Sequence, residues 1–238
     1  MAGKIFLIPN SLGSQQPDTF LPESLRKLIT GLRYLVVENT RNARRYLKTL
    51  DRGIPIDAVT FMELNKHTDP GQVKLYLQPA LEGHDMGILS EAGLPGIADP
   101  GAQLVGLAHR QNITVVPLTG PSSVFLALMA SGFNGQAFRF NGYLPIQRKT
   151  RMEAIRQLEK RVTNHNETQI FIETPYRNNA LLEDICRSCD EKTFLCIAAD
   201  LTTENEMIRT TTIDSWKKKK TDLHKRPAVF LLGSPDVG

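Results

Sequence analysis

The sequence lacks the features that mark several large classes of protein. It has 3 cysteines in 238 residues, and this small, odd number argues against a disulfide scaffold and for a reducing compartment. No apolar run approaches the roughly 20 residues that a membrane helix requires. The apolar part of the first residues is also too short for a signal peptide. We therefore expect a cytoplasmic protein that makes no contact with a membrane.

Motifs that hold phosphates or metals are absent too. The chain has no Gly-x-x-x-x-Gly-Lys-Ser/Thr loop, no Gly-x-Gly-x-x-Gly after a strand, no Gly-x-Ser-x-Gly elbow and no paired-histidine motif. These absences disfavour ATP and NAD and leave room for a ligand without phosphate. Cys186 and Cys189 have Cys-x-x-Cys spacing, but no second pair follows, so we expect no metal site.

The charge is mildly basic. There are 29 Lys+Arg against 25 Asp+Glu, for a formal net charge of +4, which alone does not prove an anionic partner. Three basic clusters stand out, and each is expected to be a solvated surface, with contact to a nucleic-acid phosphate as the alternative. They are Arg41 with Arg44 and Arg45, residues 148–161, and residues 217–226.

Short apolar runs alternate with helical patterns in the first half. This alternation predicts βαβ units and a mostly parallel sheet. The predicted strands are residues 4–8, 34–37, 58–62, 86–89 and 113–117. One of the predicted helices runs through Val73, Leu77 and Leu81.

The pattern changes near residue 119. The second half has more strands and fewer complete βαβ repeats, which favours a mixed α+β domain, and residues 201–212 have no clear pattern. We therefore predict an α/β fold of two domains, residues 1–119 and residues 120–238, with the active site in the cleft between them.

Two glycine-rich turns follow predicted strands. The run 86–89 ends at Ser90, and the residues up to Gly101 have turn composition, with Gly93 and Gly96 free to approach a ligand closely. A similar turn, residues 119–123, follows the run 113–117. Because ligands of open α/β sheets bind at the carboxyl ends of strands, these turns predict one binding crevice.

Several blocks, in order, resemble the tetrapyrrole methylase superfamily, and most closely its branch of small-subunit ribosomal RNA cytidine 2′-O-methyltransferases. They are residues 38–41, 90–101, 115–123, 138–145, 171–177 and 200–206. The resemblance spans almost the whole chain. It implies S-adenosylmethionine as the cofactor, two α/β domains, a homodimer, and RNA of the small ribosomal subunit as the substrate.

A site for S-adenosylmethionine, the cofactor implied by this resemblance, requires backbone hydrogen-bond donors and an apolar slot for adenine, and it requires no phosphate site. The turns supply backbone and small side chains, while Leu12, Ile97, Ile172 and Ala228 are candidates for the adenine walls. The candidate cofactor residues are Asn10, Leu12, Ser90, Glu91, Ala92, Gly93, Ile97, Ala98, Gly120, Ser122, Ser123, Ile172 and Ala228.

Transfer to a hydroxyl also requires a group that removes its proton. The candidate catalytic residues lie at or after predicted strand ends, and they are Glu38, Glu63, Glu173 and Arg177. Helix capping, or pairing with Arg41 and Arg177, is the alternative for Glu38 and Glu173. Asp99 is expected to cap a helix.

Two other functions stay open. One is methylation of a corrin or porphyrin carbon. The other is a paralogue that binds S-adenosylmethionine or RNA without turnover, because the opening loop at residues 8–14 and Asp200 depart from the ribosomal RNA branch.

Overall fold

The computed structural model describes residues 2–13 and 16–235. Contacts divide the chain into two compact units, Met1–Ser122 and Ser123–Gly238. Each unit is built on one five-stranded sheet. Within the described residues, no helix has both the length and the apolar character needed to cross a membrane.

The first unit has a parallel sheet with helices between its strands. The strands are β1 (Lys4–Ile8), β2 (Tyr34–Val37), β3 (Thr60–Glu63), β4 (Met86–Leu89) and β5 (Thr114–Pro117). The helices are α1 (Glu23–Gly31), α2 (Thr40–Leu50), α3 (Pro70–Val73), α4 (Gln78–Leu81) and α5 (Gly101–Arg110). The strand order is β3-β2-β4-β1-β5, and every neighbouring pair is parallel.

The central strand β4 is buried along its whole length. A Cβ at Gly87 would lie 2.4 Å from Ile8 Cδ1 and 2.6 Å from Leu35 Cδ2, so glycine is required there by packing. In the register of the sheet Ile8 lies beside Leu89. The carboxyl ends of β1 and β4 therefore reach the same level.

Two elements of the first unit differ from the sequence prediction. Residues 56–58 form a 3₁₀ turn, so β3 begins at Thr60 rather than at residue 58. The helix predicted through Val73, Leu77 and Leu81 is divided into α3, a 3₁₀ turn and α4. Pro79 in the first turn of α4 has no N–H to donate to the turn before it, which favours the break.

The second unit has a mixed sheet. Its strands are β6 (Phe138–Tyr143), β7 (Thr168–Ile172), β8 (Phe194–Ala199), β9 (Met207–Thr212) and β10 (Ala228–Gly233). Its helices are α6 (Ser123–Ser131), α7 (Arg148–His165), α8 (Asn178–Ser188) and α9 (Ile213–Lys218). In the order β6-β7-β10-β8-β9 only the β6–β7 pair is parallel. The predicted α/β fold class is confirmed, and the segment without a clear pattern contains β9.

A buried ion pair joins α7 to α8. The Asp184 side chain is only 2% exposed, and its carboxylate accepts hydrogen bonds from Arg151 Nε at 2.9 Å, Arg151 Nη2 at 2.6 Å and Arg148 Nε at 2.8 Å. Arg151 is itself buried and also donates to the Ile146 carbonyl at 2.8 Å. Asp184 and Arg151 therefore compensate each other away from water, whereas the Arg148 side chain is 53% exposed.

Removing the carboxylate should strongly destabilise the second unit. Asp184→Ala leaves the Arg151 guanidinium buried without its partner, which costs about 3–5 kcal/mol. Glu183→Ala is the matched control on the same helix, because the Glu183 side chain is 65% exposed and its ion pair with Arg187 is 3.7 Å long. Urea unfolding followed by the fluorescence of Trp216, the one tryptophan of the chain, measures both. Equal midpoints for the two variants would contradict this assignment.

Candidate active site

Three loops follow the carboxyl ends of neighbouring strands in the first unit. They are residues 9–13 after β1, residues 90–100 after β4 and residues 118–122 after β5. Because β1 lies between β4 and β5 with parallel pairing, all three loops leave the same edge of the sheet. Open α/β sheets bind their ligands at this edge.

Asn10 holds the loop after β4. Its backbone N–H donates to the Gly93 carbonyl at 2.8 Å, and its side-chain Nδ2 donates to the carbonyls of Ser90 at 2.9 Å and Glu91 at 3.1 Å. The loop carbonyls therefore point toward Asn10. Ala92 is exposed, and no hydrogen bond within the described residues uses its N–H, which leaves that donor for a ligand.

Two glycines bring the loops into contact. Gly93 has φ +68°, and a Cβ there would lie 3.3 Å from Leu12 Cδ2 and 3.6 Å from the Pro121 carbonyl oxygen. Gly93 therefore lies between the loops after β1 and β5. A Cβ at Gly120 would lie 2.1 Å from Pro9 Cβ. The space beside Gly120 is thus filled by Pro9, and only its backbone is left for the predicted contact with the cofactor.

Asp99 closes the far end of the same loop. Its carboxylate accepts from the Gly96 N–H at 2.9 Å and from the Gly101 N–H at 2.7 Å, and Gly101 begins α5. Burial raises the pKa of Asp99, although these two hydrogen bonds lower it. The side chain binds the loop and the first residue of α5, but the N-cap position of this helix is Pro100, so Asp99 is not the predicted cap itself.

The predicted cofactor residues of the first unit differ in exposure. Ser90 and Ser122 are buried, and Asn10 and Leu12 are half-buried. Glu91, Ala92, Ile97 and Ala98 are exposed. The exposed members all lie on the loop after β4, so a ligand can reach that loop directly.

Glu38 and Glu63 both bind backbone N–H groups. Glu38 Oε1 accepts from the Glu91 N–H at 3.0 Å, and Glu63 Oε1 accepts from the Thr40 N–H at 2.8 Å, at the start of α2. No ion pair joins Glu38 to Arg41 within the described part of the chain. The structure therefore favours a positioning role for both carboxylates, and their direct part in catalysis stays a prediction.

Glu173 and Arg177 form a hydrogen-bonded pair in the second unit. Glu173 Oε1 accepts from Arg177 Nη2 at 2.6 Å and from the Thr174 N–H at 2.6 Å. The Glu173 side chain is 1% exposed, and its second oxygen, Oε2, is buried without a hydrogen-bond partner among the described residues. One carboxylate oxygen is therefore fixed by hydrogen bonds, and the other is buried and unpaired among the described residues.

The other predicted cofactor residues of the second unit lie on regular elements. Ile172 ends β7 and is half-buried, and its neighbour across the sheet is Val229. Ala228 begins β10 and is buried. Ser123 is the first residue of α6. Their contact with adenine stays a prediction.

Asp200, the residue that departs from the ribosomal RNA branch, has a structural partner. Its Oδ2 accepts from Arg226 Nε at 2.5 Å, and Arg226 Nη2 donates to the Asn205 carbonyl at 2.8 Å. This pair holds the loop between β8 and β9. Asp200 therefore compensates the charge of Arg226.

A recess beside the loop after β4 was not predicted. It measures about 420 Å³ and includes Phe20, Asn42, Arg45, Tyr46, Thr49 and Glu91 in its lining; we call it the α2 recess. The Tyr46 hydroxyl donates to the Pro9 carbonyl at 2.7 Å, and burial raises the pKa of Tyr46. Three segments distant in sequence form the recess, so no local pattern reveals it.

The three cysteines all lie in the second unit. All three are unpaired, and burial raises the pKa of Cys186 and of Cys189, which favours the thiol over the thiolate that binds metals. No group of three or more His, Cys, Asp or Glu side chains in residues 2–13 and 16–235 is placed to hold a metal ion.

Residues 26–216 match the family model of the tetrapyrrole (corrin/porphyrin) methylases. The chain belongs to this family. Membership in a family of methylases confirms the resemblance seen in the sequence, the fold class and the expected methyltransferase with S-adenosylmethionine as methyl donor.

Named relatives and solved structures agree with this family. The chain is 32% identical to the ribosomal RNA small subunit methyltransferase I of Halalkalibacterium halodurans over 77% of this chain and 59% of that protein. It is 27% identical to the protein of that name from Buchnera aphidicola over 97% of this chain and 78% of that one. Among methylase structures, the methyltransferase CobJ has a TM-score of 0.65 at 14% identity and covers 98% of this chain and 95% of its own.

A second solved structure is the uroporphyrin-III C-methyltransferase of Thermus thermophilus in complex with S-adenyl homocysteine. Its TM-score is 0.57 at 16% identity, with 98% of each chain covered. At these identities the likeness to solved structures concerns the fold.

Glu38 and Glu63 should give opposite pH dependences of stability. Burial raises the pKa of Glu38 above its ordinary 4.5, so the folded state binds this proton more tightly and the contribution of Glu38 falls as the pH rises. The hydrogen bond from Thr40 lowers the pKa of Glu63, so its contribution is present at higher pH and is lost as the pH falls. Urea midpoints of Glu38→Gln and Glu63→Gln, followed by circular dichroism from acidic to neutral pH, measure this difference.

Relative to the unsubstituted protein, Glu38→Gln should gain stability as the pH rises, whereas Glu63→Gln should lose it. Each variant is the control for the other, because both remove one carboxylate charge from the same unit. Differences that change in the same direction would show that the two environments are not distinct.

Proposed function

We propose that the protein transfers the methyl group of S-adenosylmethionine to a ribose 2′-hydroxyl of small-subunit ribosomal RNA. The observation that carries this proposal is the likeness to relatives named ribosomal RNA small subunit methyltransferase I, which extends over 97% of this chain for the Buchnera protein. The ordered blocks described for the sequence support the same branch of the family.

The loops of the first unit support the cofactor contacts in this proposal. The free N–H of Ala92 suits the cofactor carboxylate, and the exposed Ile97 and half-buried Leu12 offer apolar surface to adenine. Ser90, Glu91, Gly93, Ala98, Gly120, Ser122, Ser123, Ile172 and Ala228 complete the proposed set with Asn10.

The unpaired Oε2 of Glu173, which is buried, supports a role as general base. A 2′-hydroxyl that attacks the methyl carbon must release its proton, and a carboxylate oxygen without another partner is able to accept it. Arg177 occupies the other oxygen at 2.6 Å and so orients the carboxylate. Orientation of the two reactants supplies much of the rate in such a displacement.

We also propose that the protein is a homodimer and acts in the cytoplasm, where ribosomal RNA is its substrate. Exposed apolar side chains on α6 and β6 support an interface with a second copy. Met129 is 79% exposed and Phe125 47% exposed, and the Phe125 ring packs edge-on against that of Phe138. Burying these side chains would favour association.

Methyl transfer tests the proposed function directly. With tritiated S-adenosylmethionine, the protein should label RNA of small ribosomal subunits that lack the modification, and the label should lie on a ribose 2′-oxygen. Glu173→Gln should lower kcat by about 10²–10⁴-fold, because the proton acceptor is lost, and should leave the affinity for S-adenosylmethionine unchanged in calorimetry.

Glu153→Gln is the matched control, because Glu153 is an exposed carboxylate on α7. Label in a corrin or porphyrin, with none in RNA, would support methylation of a tetrapyrrole carbon instead. Binding of S-adenosylmethionine without transfer to either acceptor would support the paralogue without turnover. Either result contradicts the proposal.

A further inference from the structure

The α2 recess contains an arginine without a partner. Four cations lie on helix α2, and two of them are bound within the protein: Arg44 to the Asp57 carboxylate, and Lys48 to the carbonyls of Arg52 and Ile54. Arg41 and Arg45 have no hydrogen bond or ion pair within the described residues. They are exposed and one helical turn apart, so they lie on the same face of α2.

The size and lining of the recess indicate the kind of ligand that fits there. From Asn42 to Thr49 the helix rises about 10 Å, at 1.5 Å per residue. Phe20 is half-buried in the lining and offers an aromatic surface on which a base can stack. An unpaired guanidinium and an aromatic ring in the lining of one recess suit a nucleotide, since the guanidinium binds phosphate and the ring stacks on the base.

One acidic residue in the lining opposes an anion. The Glu91 carboxylate accepts a hydrogen bond from Asn42 Nδ2, so it lies at the Asn42 end of the recess. Arg45 is almost one turn further along α2, and no carboxylate is bound to it within the described residues. A phosphate at Arg45 therefore meets the free cation, while Glu91 remains with the loop after β4.

We propose that Arg45 binds a backbone phosphate of the RNA substrate and that the adjoining base lies against Phe20 in the α2 recess. This inference rests on the proposed function, and it names the part of the RNA that the first unit holds. It places a nucleotide next to the candidate cofactor loops after β1 and β4, because Asn10 and Glu91 belong to these loops and also line the recess.

The salt dependence of RNA binding tests this proposal. The affinity of the full chain for fluorescein-labelled oligouridylate is measured by anisotropy over a range of salt concentrations. Loss of one phosphate contact to single-stranded RNA makes the slope of log K against log salt shallower by about 0.7, which is about fivefold weaker binding at ~0.1 M salt. Arg45→Ala should show this change and leave the affinity for S-adenosylmethionine unchanged in calorimetry.

Arg110→Ala is the matched control. It removes the same charge from the same unit, and Arg110 is exposed at the end of α5 without a partner in the described residues. Equal effects of the two variants on the slope would overturn the proposal, because RNA binding would then depend on the total charge of the protein and not on a contact at Arg45. Loss of S-adenosylmethionine affinity in Arg45→Ala would also overturn it, because the recess would then bind the cofactor and not RNA.

Failure of the proposed function gives a different result. If RNA binding depends on Arg45 but no methyl group is transferred to RNA, the phosphate site is supported and the proposed activity is wrong. If RNA is methylated with the same KM and kcat in the presence and absence of the Arg45 side chain, the proposed activity is supported and the phosphate site is wrong. Absence of any RNA binding would remove both.

Discussion

The candidate site of the first unit depends on the hydrogen bonds that Asn10 donates to the loop after β4. Three hydrogen bonds from one residue fix the carbonyls of Ser90, Glu91 and Gly93, and each contributes about 1 kcal/mol. Asn10 can donate these hydrogen bonds only because β1 and β4 are adjacent and parallel, so that their carboxyl ends lie side by side. The fold thus determines which way the loop faces: carbonyls toward Asn10 and Ala92 outward.

Carboxylates around this loop act mainly on backbone N–H groups. Glu38 binds the start of the loop, Asp99 binds its far end, and Glu63 binds the first N–H of α2, which lines the neighbouring recess. These three carboxylates are therefore occupied by backbone N–H groups of the loop and of helices α2 and α5. Glu173 differs, because one of its buried oxygens has no partner among the described residues.

Most strands and the glycine turns were predictable from local sequence, because runs such as 86–89 are apolar and end in residues that only turns favour. Strand β9 was not, because its residues alternate neither in polarity nor in any other clear pattern. The helix at residues 70–81 was misjudged, since apolar spacing predicts one helix and Pro79 interrupts it. The binding of Glu63 to Thr40 depends on the register of β2 with β3, and the α2 recess depends on contacts among three distant segments. Neither leaves a mark in local composition, so both required the three-dimensional structure.

Amide hydrogen exchange of the full chain, measured with and without S-adenosylmethionine, tests the central claim most directly. If the loops after β4 and β5 bind the cofactor, amide exchange should slow at residues 90–94 and 118–122 when S-adenosylmethionine binds. Exchange should be unchanged in β9, an edge strand of the second sheet. If calorimetry shows binding while exchange in those loops stays the same, the cofactor lies elsewhere and the account is contradicted.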